Sequence, residues 1–84
     1  MIVIYGKDNC FWCSESRDIA KRYGLEYEYK NITYEVYRNE MFEIFPDAKT
    51  VPQITWHGRP IGGYNEFTQE IDNTLGGHYA QDLF

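Results

Sequence analysis

The chain has 84 residues, of which 43% are hydrophobic, and it carries a formal net charge of −5. This length predicts a single domain, residues 1–84, with a core of modest size. The sequence has no clustered basic face of the kind that binds nucleic acid, and no apolar run long enough to span a bilayer. We therefore expect an unexported, cytoplasmic monomer whose two cysteines act as a working dithiol, because structural disulfides are rare in a reducing cytosol.

A strand and a helix flank the two cysteines. Residues 2–5 are apolar and mostly β-branched, as expected of a strand that is covered on both faces. A polar turn at residues 6–9 follows, in which Asp8 or Asn9 is expected to cap a helix. The helix is indicated by less polar residues at the spacing i, i+4, i+7, i+8 and i+11, and Gly24 ends it. These residues are Trp12, Ser16, Ile19, Ala20 and Tyr23.

The middle of the chain predicts a strand, a helix and two consecutive strands. Residues 25–30 alternate between apolar or aromatic and charged side chains, which predicts a half-exposed strand. Further strands are expected at residues 53–57 and 59–62, with Pro60 on an edge because proline cannot donate to a ladder. Between the strand at 25–30 and these two strands, a helical face that Pro46 ends is formed by Tyr34, Tyr37, Met41, Ile44 and Phe45.

A third helix is predicted after the last strand. Asn65 is expected to cap it, Phe67, Ile71 and Leu75 to form its apolar face, and Gly76-Gly77 to end it. For the tail, residues 78–84, packing back onto the domain and fraying both stay open. The resulting order, β-α-β-α-β-β-α, predicts an α/β protein in which helices flank a four-stranded mixed sheet. This is the arrangement of the thioredoxin fold.

Cys10 and Cys13 form a Cys-x-x-Cys pair between the first strand and the first helix, a pattern typical of redox-active dithiols. The unpaired N–H groups of the first helical turn and the nearby Lys7 ammonium should both lower the pKa of Cys10. Cys13 lies one turn deeper, so Cys10 is predicted to attack a disulfide and Cys13 to resolve the product. Half of a zinc site is the alternative, but His57 and His78 lack the spacing of further ligands, and no metal is expected.

Three separated motifs carry a resemblance to a known family. They are Tyr5-x-Lys7-x-x-Cys10-x-x-Cys13, Thr50-Val51-Pro52-Gln53 and Gly62-Gly63-Tyr64-Asn65-Glu66. In this order and at this spacing they resemble the motifs of the glutaredoxins, over nearly the whole chain. The short length and the absence of proline between the cysteines most resemble the glutaredoxins of bacteriophages.

The resemblance implies a binding site for glutathione beside the cysteines. Thr50, Val51 and Pro52 match the family's segment with a cis proline, whose exposed Val51 N–H and C=O would pair with the cysteine of a glutathionyl group. Lys7 is the expected partner of the glycyl carboxylate. For a second cation near that carboxylate, Arg38 and Lys49 are both candidates.

The third motif would bind the other end of glutathione. Its diglycine allows a close backbone approach, and in the family the start of the following helix receives the γ-glutamyl carboxylate at a position that Gly63 matches here. Acidic side chains at the next positions meet the ammonium group. Those positions hold Tyr64, Asn65 and Glu66. Because Asn65 replaces the usual aspartate, Glu66 is expected to supply the charge.

Phe11 and Trp12 lie between the cysteines, where many glutaredoxins have Pro-Tyr, and both are expected to line the glutathione site. One of the two rings is also a candidate docking surface for disulfide partners. For Trp12, which lies on the apolar helix face, core packing is an equally weighted alternative.

The favoured function is a glutathione-dependent dithiol oxidoreductase that reduces protein disulfides and glutathione mixed disulfides in the cytoplasm, or in the host cytoplasm for a phage protein. The resemblance adds ribonucleotide reductase as one electron acceptor. Two alternatives stay open. One is a glutaredoxin-like redoxin that is reduced by thioredoxin reductase. The other is a non-enzymatic protein, either an adaptor or a binder of an iron–sulfur cluster through Cys10 and glutathione.

Overall fold

The computed structural model describes residues 1–76, and the tail at residues 78–84 lies outside that range. The elements are β1 (Ile2–Gly6), α1 (Phe11–Arg22), β2 (Tyr27–Asn31), α2 (Glu35–Ile44), β3 (Gln53–Trp56), β4 (Arg59–Gly62) and α3 (Tyr64–Ile71), followed by a π-helical segment, Asp72–Gly76. No helix in residues 1–76 is long and apolar enough to cross a membrane.

The four strands form one mixed sheet in the order β2-β1-β3-β4. β1 runs parallel to β2 and antiparallel to β3, so that Ile4 lies between Tyr29 and Ile54. β4 pairs antiparallel with β3 and forms an edge of the sheet. Pro60 has no N–H to donate to a neighbouring strand, and an edge strand tolerates this. The predicted element order, the mixed sheet and the edge position of Pro60 are confirmed.

The main core lies between the sheet and the pair α1 and α3. Alternate residues of β1 point to this face, because successive side chains of a strand lie on opposite sides. Burial of these apolar side chains is the main favourable contribution to folding. The buried cluster consists of Ile2, Ile4, Ala20, Ile54, Trp56, Phe67 and Ile71.

The opposite face of the sheet is covered by α2 and contains a partly buried polar group. The Tyr5 hydroxyl and the Lys30 ammonium both donate to the Glu40 carboxylate. Burial, and then the hydrogen bond to Glu40, raise the pKa of Tyr5. The hydrogen bonds from Lys30 and Tyr5 lower the pKa of Glu40. This group ties β1 and β2 to α2 just before the chain reaches the cysteines.

Two predicted apolar faces are only partly buried. In α2, Met41 is buried, whereas Tyr34 is exposed because it is the N-cap residue and precedes the helix. The third helix ends at Ile71, so the prediction that Leu75 belongs to its apolar face is wrong. Leu75 lies in the π-helical segment, where the wider turn moves it off the face of Phe67 and Ile71 and leaves it 39% exposed.

Candidate active site

Cys10 and Cys13 are joined in a disulfide, with their Cα atoms 5.2 Å apart. Cys10 immediately precedes α1 and is half-buried, whereas Cys13 lies inside the first helical turn and is 0% exposed. An approaching molecule can therefore reach the sulfur of Cys10 but not that of Cys13. This difference in access agrees with the predicted roles of an attacking and a resolving cysteine.

The cap of α1 is Cys10 itself, so the prediction that Asp8 or Asn9 caps this helix is wrong. The N–H of Cys13 points to Sγ of Cys10 at 3.2 Å. Asn9 adopts a left-handed backbone conformation with φ of 56° and turns the chain, which leaves the next residue at the cap position. In the reduced protein this N–H would stabilise a thiolate at Cys10, as helix starts stabilise negative charge generally.

The segment before β3 lies against the reactive sulfur. The Val51–Pro52 peptide bond is cis, as the resemblance implies. The carbonyl oxygen of Val51 lies 3.8 Å from Sγ of Cys10, and the Gln53 side chain donates to the Thr50 carbonyl at 2.9 Å. Within residues 1–76, neither the N–H nor the C=O of Val51 has a backbone partner. The backbone groups of Val51 thus lie beside Cys10 without a backbone partner in this range.

A groove of about 460 Å³ brings together most of the predicted binding residues. One wall is the segment that contains Val51, and the other is the start of α3. Its lining consists of Trp12, Thr50, Val51, Pro52, Gly63, Tyr64, Asn65 and Glu66. Residues from three distant parts of the sequence therefore share one cavity, as the three motifs predict.

Trp12 lines this groove and does not belong to the core. Its side chain is 51% exposed, and its ring packs against that of Tyr64 with the centroids 4.8 Å apart. The core-packing alternative for Trp12 is therefore wrong. Trp12 does lie on the predicted stripe of α1, but at the start of the helix this stripe contacts Tyr64 of α3.

The start of α3 approaches the Val51 segment closely at the diglycine. A Cβ on Gly63 would lie 3.4 Å from the carbonyl oxygen of Pro52, and Gly62 has a φ of +118°, which favours glycine. Gly63, not Asn65, is the N-cap residue of α3, so the predicted cap is wrong. The Glu66 carboxylate accepts the N–H of Gly63 at 2.8 Å and provides half of a capping box.

Lys7 lies in a smaller pocket of about 160 Å³ on the other side of Val51. Lys49 lines the same pocket, and neither ammonium forms an ion pair with any described residue. Arg38 does not line this pocket; its guanidinium donates at 3.3 Å to the carbonyl of Ile32, which does, and lies near Glu35. Of the two candidates for a second cation, the structure places only Lys49 beside Lys7.

Phe11 is the one predicted binding residue that lines neither pocket. Its side chain is 65% exposed. In the described part of the chain, no three His, Cys, Asp or Glu side chains come together in a group that could hold a metal ion. His78, a residue of the zinc alternative, lies outside the described range.

Tyr29 is a supporting residue that the sequence patterns did not single out. Its hydroxyl donates to the carbonyl oxygen of Lys7 at 3.0 Å, and its ring occupies the space that a side chain at position 6 would need. The guanidinium carbon of Arg17 lies 4.3 Å from the ring centroid. Tyr29 thereby fixes the loop between β1 and Cys10. The only feature of the sequence that could have indicated this role of Tyr29 is Gly6 at the end of a strand.

Comparisons with known proteins agree with this geometry. Residues 2–61 match the family model described as Glutaredoxin. Glutaredoxin 1 of Escherichia coli is 30% identical over 80 residues, which cover 87% of this chain and 94% of that protein. The solution structure of reduced E. coli glutaredoxin superposes with a TM-score of 0.74 at 28% identity, over 89% of this chain and 96% of that one.

A third comparison concerns the fold alone. The crystal structure of a buckwheat glutaredoxin–glutathione complex has a TM-score of 0.72 at 20% identity, over 90% of this chain and 73% of that one. The family match over most of the chain and the paired cysteines at the start of α1 lead to one conclusion. The chain belongs to the glutaredoxin family, and its Cys10–Cys13 pair is the redox centre of a thiol–disulfide oxidoreductase.

Proposed function

We propose that this protein uses glutathione as its reductant and reduces both protein disulfides and glutathione mixed disulfides. The observation that supports this most is the unpaired backbone of Val51, which lies at the groove and within 3.8 Å of the Cys10 sulfur. A peptide cysteine that pairs with this backbone in an antiparallel manner brings its own sulfur to Cys10. Glutathione is a tripeptide of suitable size for a groove of about 460 Å³.

The groove and the neighbouring Lys7 pocket suit the two charged ends of glutathione. At one end, the N–H groups of the first turn of α3 have no helical acceptors and face the γ-glutamyl carboxylate. Glu66 lies within reach of the neighbouring ammonium, while Asn65 at the preceding position carries no charge. On the other side of Val51, Lys7 and Lys49 attract the glycyl carboxylate. Tyr64 and Trp12 supply apolar surface between them.

The proposed cycle begins with the reduced dithiol. The Cys10 thiolate forms a bond to one sulfur of the substrate disulfide, the substrate S–S bond breaks, and the released sulfur takes up a proton. The Cys13 thiol then loses its proton, attacks Cys10 and releases the remaining substrate thiol, which leaves the disulfide present in the structure. Two molecules of glutathione return two electrons, through a Cys10–glutathione mixed disulfide, and leave as oxidised glutathione.

Further partners are proposed on the family resemblance. Ribonucleotide reductase is one proposed electron acceptor, and other protein disulfides are a second group. A cytoplasmic location, a monomeric state and a single domain over residues 1–84 stay predictions. The glutathione-bound buckwheat structure supports glutathione as a ligand of this fold, although at 20% identity it supports no residue role.

A steady-state assay tests the proposed reductant. Glutathione-dependent reduction of a small glutathione mixed disulfide is measured for the wild type, Cys10→Ser and Cys13→Ser. We expect complete loss in Cys10→Ser and substantial activity in Cys13→Ser, because a glutathione mixed disulfide needs only the attacking cysteine. Equal loss in both variants would refute the assigned roles.

The same preparation separates the alternatives. Activity with thioredoxin reductase but not with glutathione would identify the protein as a glutaredoxin-like redoxin. A brown protein with visible absorption after anaerobic purification would indicate an iron–sulfur cluster. Unchanged partner binding by Cys10→Ser, without any disulfide-reducing activity in the wild type, would indicate an adaptor.

A further inference from the structure

Phe11 presents a largely exposed aromatic ring on the residue next to the reactive cysteine in the chain. It follows Cys10 in the chain and is the first residue of α1. Its ring meets that of Trp12 edge-on, with the centroids 4.9 Å apart, so most of its surface stays open at 65% exposure. Since it lines neither the groove nor the Lys7 pocket, it lies at the redox centre but outside the space proposed for glutathione.

The outer face of α1 continues from Phe11 with two carboxylates. Helical spacing places Glu15 one turn and Asp18 two turns further along the same stripe. Asp18 is exposed and Glu15 is half-buried, and neither forms an ion pair within residues 1–76. Of the cations in α1, Arg17 is directed to the ring of Tyr29, and Lys21 and Arg22 form no ion pair with either carboxylate. The stripe is therefore open to a cation from another molecule.

A polypeptide disulfide brings more chain to Cys10 than the groove can hold. The residues next to the substrate cysteine that do not pair with Val51 must lie on the surface around Cys10. Phe11 is the exposed apolar residue next to Cys10 that lies outside the groove, and contact with an apolar side chain there removes surface of both from water. A polypeptide that continues along α1 then meets Glu15 and Asp18.

We propose that Phe11 is a specificity-determining residue, which selects polypeptide disulfides with an apolar side chain beside the cysteine. Glu15 and Asp18 favour a basic residue further along the same polypeptide. This inference rests on thiol–disulfide exchange at Cys10 and is independent of the source of reducing electrons. The dithiol passes two electrons to the peptide disulfide, whose two sulfurs leave as thiols, and becomes the Cys10–Cys13 disulfide.

The test measures oxidation of the pre-reduced protein by synthetic peptide disulfides, without glutathione. Two disulfide-linked peptides differ only in the residue beside the cysteine, phenylalanine or glycine, and both carry lysines further along. We expect the wild type to react about tenfold faster with the phenylalanine peptide. Phe11→Ser should reduce this preference to about twofold or less, whereas Phe11→Leu should keep most of it.

Val36→Ser provides the matched control, since Val36 is 67% exposed but belongs to α2. It should keep the wild-type preference. A preference that persists in Phe11→Ser, or equal rates of the wild type with both peptides, would overturn the role of Phe11. Because the preference is a ratio of two rates for one protein, a variant with altered intrinsic reactivity at Cys10 still gives a readable result.

A second comparison tests the carboxylates. The lysines of the phenylalanine peptide are replaced by glutamates, and rates are compared at low and high salt. The wild type should favour the lysine peptide, the preference should shrink at high salt, and the double variant Glu15→Gln/Asp18→Asn should lose it. A salt-independent rate, or an unchanged preference in the double variant, would refute this part. Failure of glutathione to reduce the oxidised wild type would refute the proposed function alone, because these rates contain no glutathione step.

Discussion

Glu66 is predicted to have two separable roles, as a helix cap and as a charge in the groove. Its carboxylate accepts the Gly63 N–H at 2.8 Å, and the same side chain lines the groove. Glu66→Gln keeps an acceptor for that N–H but removes the charge, whereas Glu66→Ala removes both. Since the two variants differ mainly in the cap, together they assign each effect to its cause.

The structure sets the size of both effects. Loss of a capping acceptor costs about 0.5–2 kcal/mol, so the free energy of unfolding of Glu66→Ala should fall by about 1 kcal/mol while that of Glu66→Gln stays within about 0.5 kcal/mol. A solvent-exposed ion pair contributes roughly 0.2–1 kcal/mol. The KM for a glutathione mixed disulfide should therefore rise roughly 1.4- to 5-fold in both variants.

Urea denaturation and steady-state kinetics check these two expectations on the same samples. Glu70→Gln is the matched kinetic control, because it also removes one negative charge from α3. Glu70 lies outside the groove, where it pairs with Arg59 at 3.1 Å. A wild-type KM in Glu66→Gln would show that Glu66 acts only as a cap. Equal destabilisation of Glu66→Gln and Glu66→Ala would show that the contact to Gly63 does not behave as a cap.

Three further predictions follow from the surroundings of the site. Gly6→Ala would place a Cβ 2.8 Å from Cζ of Tyr29. Urea denaturation should show a free energy of unfolding lower by about 1–3 kcal/mol. A loss of the same size in a Tyr29→Ala background would show that the clash with Tyr29 is not the cause. Lys49→Met should raise the KM for a glutathione mixed disulfide roughly 1.4- to 5-fold, and Arg38→Met should not; the reverse order would place the second cation at Arg38. The folded state lowers the pKa of Glu40 below its ordinary value of 4.5. The ionised carboxylate therefore stabilises the protein at pH values above 4.5, and this contribution is lost as the pH falls through the lowered pKa. The free energy of unfolding, measured above and below that pH, should therefore depend less on pH in Glu40→Gln than in the wild type. An unchanged pH dependence would refute the contribution assigned to Glu40.

Local features of the sequence predicted the elements well and their ends less well. The spacing of apolar residues located α1, and Pro46 located the end of α2, because periodicity and proline act within a few residues. The caps at Asp8 or Asn9 and at Asn65 were wrong. A cap depends on the path by which the chain enters the helix, and at Asn9 and Gly63 that path is set by the backbone turn that tertiary contacts require.

By itself the sequence determined the chemistry of this protein. Two cysteines at a helix start, a Thr-Val-Pro segment and a diglycine appear as separate motifs, and each follows from residue type and spacing alone. Only the tertiary structure decided which side chains share a surface. It placed Lys49 beside Lys7, turned Trp12 into the groove, and left Phe11 outside. The physical reason is that these relations depend on how α1, α3 and the Val51 segment pack across the sheet, and contacts between distant segments leave no periodic signal in a single sequence.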